Sequence, residues 1–277
     1  MTSRSLLPFD PEAVRPWQLG EGGRGVLLLH GFAGTPPELR RLGEHLAAHG
    51  WRCRAPAMAG HGTTPEDHAR VRWTDWANSA QAALDELHAG CDAVAVAGQS
   101  MGGAMALHLA ARDPRVGAVA ALATPLRLHD WRLRYIALLK HVQRWHFPDP
   151  DDIDLYSRSA AEELHSYGRR STKSIHQLVL FLRRVRDDLP MIRQPVLLLH
   201  GGRDRAVPAD SMPEIARRLR CSLAVETRLL PRSGHAISVD VDRAEVNARV
   251  LAWFDRYLPS GFSRREARRD ALPSPRR

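Results

Sequence analysis

The sequence predicts a doubly wound α/β sheet, and three observations carry that prediction. Short apolar runs repeatedly end in glycine-rich turns and are followed by segments with helical spacing. The runs are continuous rather than alternating, as in strands covered on both faces, and strand-then-helix order implies parallel pairing. At 277 residues the chain is long enough for one large domain with a generous core.

The elements follow in order. Residues 25–30 (GVLLLH) form an apolar run of strand length ending at Gly31. Residues 38–49 have Leu39, Leu42 and Leu46 on one helical face. Residues 51–57 read as a second strand, closed by the Gly60-His61-Gly62 turn. Residues 74–87 are a helix through Trp76, Ala80, Ala83, Leu84 and Leu87. Residues 93–97 are a third strand, and 101–112 a helix so apolar that it must be buried on several sides. Residues 116–123, 195–200 and 224–230 complete the strands, and 213–219 and 243–257 supply the last helices.

One stretch breaks the rhythm. Residues 125–190 hold no clean strand but carry amphipathic segments with Trp131, Tyr135, Ile136, Leu138, Leu139 and Trp145, then residues 178–182. A connection of that length needs structure and a role of its own. The predicted organisation is therefore a core of residues 1–124 and 191–258, a small helical cap at 125–190, and a basic tail at 259–277. Substrate contacts are expected from the cap.

Composition narrows the partners. The net charge of +9 is almost wholly arginine, since lysine occurs only at Lys140 and Lys173, which reads as compositional bias rather than a binding face. The tail contributes six arginines against Glu266 and Asp270 and is expected to stay disordered and solvated, with weak membrane-surface contact as the lesser reading. No aromatic-interleaved basic patch suggests nucleic-acid binding. Three dispersed cysteines (Cys53, Cys91, Cys221) suggest neither a disulfide framework nor a zinc site and are expected to be core residues. The N-terminus, Met1-Thr2-Ser3-Arg4, lacks the apolar core of a secretory leader, and no apolar run is long enough to span a membrane. A cytoplasmic protein without metal or cofactor is expected.

The chemistry lies at the strand ends. Gly98-Gln99-Ser100-Met101-Gly102 falls between a predicted strand and an apolar helix. A serine hydroxyl is a poor nucleophile unless it is exposed and handed a base. A sharp strand-to-helix turn exposes Ser100 and sets it where helix N–H groups face developing negative charge. His30-Gly31-Phe32 ends another strand. The backbone N–H groups of Phe32 and Met101 are the expected pair of oxyanion donors.

Asp204 follows the strand at 195–200, and His235, in Arg232-Ser-Gly-His-Ala, follows the last strand. The order Ser100, Asp204, His235 at successive strand ends predicts a nucleophile, acid and base. The other histidines take plainer roles. His61 is expected to pin its loop, His30 and His200 to bond backbone near the site, and His108 to pack.

The segments HGFAGTPPELRRLGEHLAAHGW, RAPAMAGHGTTPEDH, AVAGQSMGGAMALHLA, LLLHGGRDRAVP and RSGHAISVD, with the helix entry at Trp73–Trp76, resemble the bacterial carboxylesterase and monoacylglycerol lipase family. The resemblance runs from about residue 24 to 257 and is weakest through 125–165. It implies the α/β-hydrolase fold with a small cap, metal-independent hydrolysis, and short-to-medium acyl esters or monoglycerides as substrates. It maps the triad onto Ser100, Asp204 and His235 and the oxyanion donors onto Phe32 and Met101. Thioesterase, C–C hydrolase or acyltransferase chemistry on the same triad is the alternative, and a non-catalytic ligand-binding protein a remoter one.

Overall fold

Alternation along each strand decides which layer every helix joins. The computed structural model describes residues 12–128, 133, 135–147, 155–157 and 160–261. Trp131 and the arginine-rich stretch from residue 262 lie outside the described residues. In chain order the strands are β1 (Trp17–Leu19), β2 (Arg24–Leu29), β3 (Trp51–Ala55), β4 (Ala93–Gln99), β5 (Val116–Leu122), β6 (Trp145–His146), β7 (Arg170–Ser171), β8 (Val196–Gly201) and β9 (Val225–Leu230). The α-helices are α1 (Arg40–Ala48), α2 (Pro65–His68), α3 (Trp73–Ala89), α4 (Met101–Arg112), α5 (Ile136–Val142), α6 (Ala160–Glu163), α7 (Thr172–Asp188), α8 (Ser211–Arg218) and α9 (Arg243–Tyr257).

Seven strands form one sheet in the order β1-β3-β2-β4-β5-β8-β9. Only β1 runs antiparallel to its neighbour; the other pairs are parallel. In β2, Leu27 and Leu29 face a core shared with Trp76, Ala80 and Leu84 of α3, Met105 and Leu109 of α4, and Phe181 and Val185 of α7. Val26 and Leu28 face the opposite core, with Leu42 and Leu46 of α1 and Val250 and Phe254 of α9. Each buried Leu, Val or Phe contributes about 1.5–3 kcal/mol, so two such layers hold the sheet from both sides.

The elements predicted from sequence are present with small shifts. β4 runs two residues further than predicted, through Gln99, so the strand reaches up to Ser100. β3 stops at Ala55, two residues early. β1 escaped the sequence reading because three residues at a sheet edge leave no periodicity to see. β9 corrects the premise of strands covered on both faces. It is the edge strand, with Val225 and Leu229 exposed. Residues 125–190, read as lacking a clean strand, include the two-residue antiparallel pair β6–β7 as well as α5, α6 and α7. Cys221 corrects another expectation. It is exposed, while Cys53 is buried in the sheet.

Because β2, β4, β8 and β9 are parallel neighbours, the turns after them open on the same edge of the sheet. That edge is where open α/β sheets assemble their sites. Among the described residues no helix is long and apolar enough to cross a membrane.

Candidate active site

Ser100 sits where β4 gives way to α4, with φ 57° and ψ −117°. That left-handed backbone is strained for any residue with a side chain and needs its surroundings to impose it. Two anchors do so: the Ser100 N–H donates to the Leu122 carbonyl on β5 at 2.7 Å, and the Ala104 N–H donates to the Ser100 carbonyl at 3.1 Å. The flanking glycines are obligatory. A methyl group built on Gly102 would lie 1.9 Å from the Leu29 carbonyl oxygen, and one on Gly98 2.2 Å from the Gly102 backbone. The first ten residues of α4, Met101 to Ala110, are all buried. The N–H groups of its first turn have no intrahelical acceptor.

Asp204 lies just beyond β8 with its carboxylate fully buried. Its Oδ1 accepts from the N–H groups of Ala206 (2.9 Å) and Val207 (2.8 Å). Its Oδ2 is 2.9 Å from His235 Nδ1 and 3.3 Å from His200 Nε2. Burial would raise the Asp204 pKa, but the hydrogen bond and charge of His235 and the Val207 N–H outweigh it and hold the carboxyl below its usual range. An ionised Asp204 accepts from Nδ1–H of His235, which leaves Nε2 as the nitrogen that can exchange a proton.

The loop that carries His235 is tied directly to the turn at Ser100. Gln99, the residue before Ser100, donates from Nε2 to the His235 carbonyl at 2.8 Å. Asp240, which the sequence reading did not single out, holds the same loop from the other side. Its Oδ2 accepts the Gly234 N–H (2.8 Å), while its Oδ1 accepts the N–H groups of Tyr156 (2.9 Å) and Ser157 (2.7 Å). The guanidinium of Arg203, next to Asp204, lies 4.8 Å over the Tyr156 ring. One buried carboxylate thus joins the inserted segment to the loop that carries His235. Tyr167 ties that segment to the turn after β3, its hydroxyl donating to the Gly60 carbonyl (2.8 Å) and accepting the Thr63 N–H (3.1 Å).

Phe32 follows β2 in a tight turn closed by the Gly34 N–H on the Gly31 carbonyl at 3.1 Å, with Ala33 at φ 59°. Its ring packs on His68 and Trp76. His30 accepts the Met58 N–H at Nε2 (3.1 Å), so its Nδ1 must donate to the Gly31 carbonyl (3.0 Å). His61 pins its own loop, bonding the Ala59 carbonyl from Nδ1 at 3.1 Å. His108 does more than pack: its Nδ1 is 2.6 Å from the buried Asp188 carboxylate. The structure therefore brings Ser100, Asp204, His235, Phe32 and Met101 to one edge of the sheet. Among the described residues no group of three or more His, Cys, Asp or Glu side chains is arranged to hold a metal ion.

The family model described as serine aminopeptidase, S33, matches residues 23–242. The chain belongs to this family. It is 25% identical to a carboxylesterase of Bacillus subtilis, over 87% of this chain and 96% of that one. It is 28% identical to a thermostable monoacylglycerol lipase of Bacillus sp. H-257, over 88% and 95%. A solved structure from work on LipS and LipT, two metagenome-derived lipolytic enzymes, superposes with a TM-score of 0.82 at 26% identity, over 88% of this chain and 98% of that one. The resemblance to bacterial carboxylesterases and monoacylglycerol lipases is thus borne out, and the fold is the α/β-hydrolase fold.

Within this S33-family chain the histidines beside Phe32 set the response to acid. His30, His61 and His68 are buried and in ring contact. Burial lowers His30 to about 4 and His68 to about 3, and drives His61 well down. The unfolded chain binds these protons below its pKa near 6.5 and the folded chain does not, so stability is lost as pH falls through 6.5. Between pH 7 and 5, His30 and His68 each cost about 2 kcal/mol. Glu38 works in the opposite sense. Burial raises it to about 7, so it returns about 2 kcal/mol over the same interval. The expected net loss is at least about 2 kcal/mol, with His61 adding to it. Urea unfolding at pH 7 and pH 5 checks this, and equal midpoints would refute it.

Proposed function

We propose that the chain is a serine hydrolase that cleaves short-to-medium acyl carboxylic esters through a covalent acyl-enzyme. On this reading Ser100 is the nucleophile, His235 the general base and acid, and Asp204 the group that orients and stabilises the imidazolium. The Phe32 and Met101 N–H groups receive the oxyanion of each tetrahedral intermediate. His235 takes the Ser100 proton as the hydroxyl adds to the ester carbonyl, then gives it to the departing alcohol. Water then enters by the same route, and its proton passes through His235 back to Ser100 as the acid leaves. Residues 125–190 serve as the cap and supply apolar contacts to the acyl chain. The working compartment on this reading is the cytoplasm, which fits three unpaired cysteines.

The observation that carries the proposal is the strained Ser100 at the strand-to-helix turn, with an Asp204–His235 pair at 2.9 Å on adjoining strand ends and Gln99 bonded to the His235 carbonyl. Ester rather than peptide hydrolysis is favoured because relatives that match over most of this chain include a carboxylesterase and a monoacylglycerol lipase. Kinetics on p-nitrophenyl esters from about C4 to C10, mono-, di- and triglycerides, and aminoacyl p-nitroanilides test it. The expected result is kcat/KM at least about 10²-fold higher on the best ester than on any anilide, a margin of about 3 kcal/mol in transition-state binding. Preferential anilide cleavage would overturn the substrate class.

A further inference from the structure

Glu38 is a buried carboxyl that the reaction just described does not use. It arrives at the site by a short route. The chain leaves β2, makes the Gly31–Gly34 turn, and enters a 3-10 turn at Pro36–Leu39 whose two leading prolines stiffen it. That turn brings the carboxyl back to its own starting point. Oε1 of Glu38 accepts the Gly31 N–H, and a methyl group built on Gly34 would lie 2.5 Å from Oε2. The carboxyl therefore touches both ends of the turn at once. The Gly31 carbonyl is held independently by the Gly34 N–H and by His30. A methyl group built on Gly31 would lie 3.5 Å from Cβ of Ser100, so this clamp is against the nucleophile.

We propose that Glu38 is a positioning residue for the oxyanion site: by fixing the Gly31 end of the turn it aims the Phe32 N–H at the atom that becomes negative. The inference rests on the ester-hydrolase reading and goes beyond it in assigning a function to a side chain outside the triad. The chemistry of the group matters as well as its shape. A neutral acceptor holds the Gly31 N–H without setting a full negative charge beside a forming oxyanion. Burial raises the carboxyl to about 7, against the opposing pull of the Gly31 N–H and the charge of His235, so the neutral form is about half populated at pH 7 and prevails below it.

Glu38→Gln keeps the length and the acceptor oxygen, whereas Glu38→Leu keeps neither acceptor nor polarity. At pH 7 the Gln variant is expected to stay within about threefold of wild-type kcat on p-nitrophenyl butyrate. The Leu variant is expected to lose about 10²-fold in kcat with KM changed less than about threefold, the size of a lost oxyanion donor. An alkyl boronic acid, which mimics the tetrahedral intermediate, should weaken in parallel with kcat rather than with KM. Where circular dichroism finds the Leu variant unfolded, Glu38→Asp takes its place, being one methylene too short to reach Gly31 and expected to lose at least about tenfold in kcat. Wild-type kcat in the Leu or Asp variant, or a Gln variant as impaired as Leu, would overturn the proposal. Wild-type turnover in the same assay is the control for the ester-hydrolase reading, so a null result at Glu38 stands apart from a failure of the triad.

Discussion

Ser100→Ala is expected to lower kcat on p-nitrophenyl butyrate by a factor on the order of 10⁶ while leaving KM and the unfolding midpoint nearly unchanged. The size follows from the role proposed for the hydroxyl: without it no acyl-enzyme forms, and only binding and the oxyanion donors remain to assist water. Stability is expected to hold because the strain at this position belongs to the backbone, at φ 57°, and not to the hydroxyl. Ala tolerates that conformation no worse than Ser does, and the Gly98 and Gly102 approaches are untouched. A variant with more than about a thousandth of wild-type kcat, once the preparation is shown free of wild type, contradicts the role given to Ser100.

Asp204→Asn is expected to cost about 10⁴ in kcat, and the surrounding donors say why. Oδ1 of Asp204 receives two backbone N–H groups, from Ala206 and Val207. An asparagine must present its amide oxygen to them, which turns its NH₂ toward His235 Nδ1. The imidazole then carries its proton on Nε2, the wrong nitrogen to take one from Ser100. The loss is one of tautomer and of imidazolium stabilisation, so KM is expected to move little. Steady-state kinetics check this, and retention of a tenth of wild-type kcat would show that the 2.9 Å Asp204–His235 contact is not part of the reaction.

The parts of the molecule legible in the sequence are those whose physics is local. The apolar runs of β2, β4, β5 and β8 announce buried parallel strands because both faces must be apolar. The Gly98–Gly102 spacing announces the elbow because nothing with a side chain fits there. Asp204 and His235 were singled out by position after a strand, which the sequence order reveals. Glu38 and Asp240 were not found, for a common reason. Each is an ordinary carboxylate in sequence, and its meaning comes from donors brought to it by the fold: the Gly31 N–H for one, and Gly234, Tyr156 and Ser157 for the other. The exposed edge of β9 was misjudged because Val225 and Leu229 look like core until the sheet order leaves β9 outermost.

Ser100 is the proposed nucleophile, made reactive by the Asp204–His235 pair. Intact-protein and peptide mass spectrometry after treatment with a fluorophosphonate test that most directly. A single adduct is predicted on the peptide that contains Ser100, absent in Ser100→Ala and strongly slowed in Asp204→Asn. Stoichiometric labelling at another residue, or labelling that survives Ser100→Ala, would contradict it.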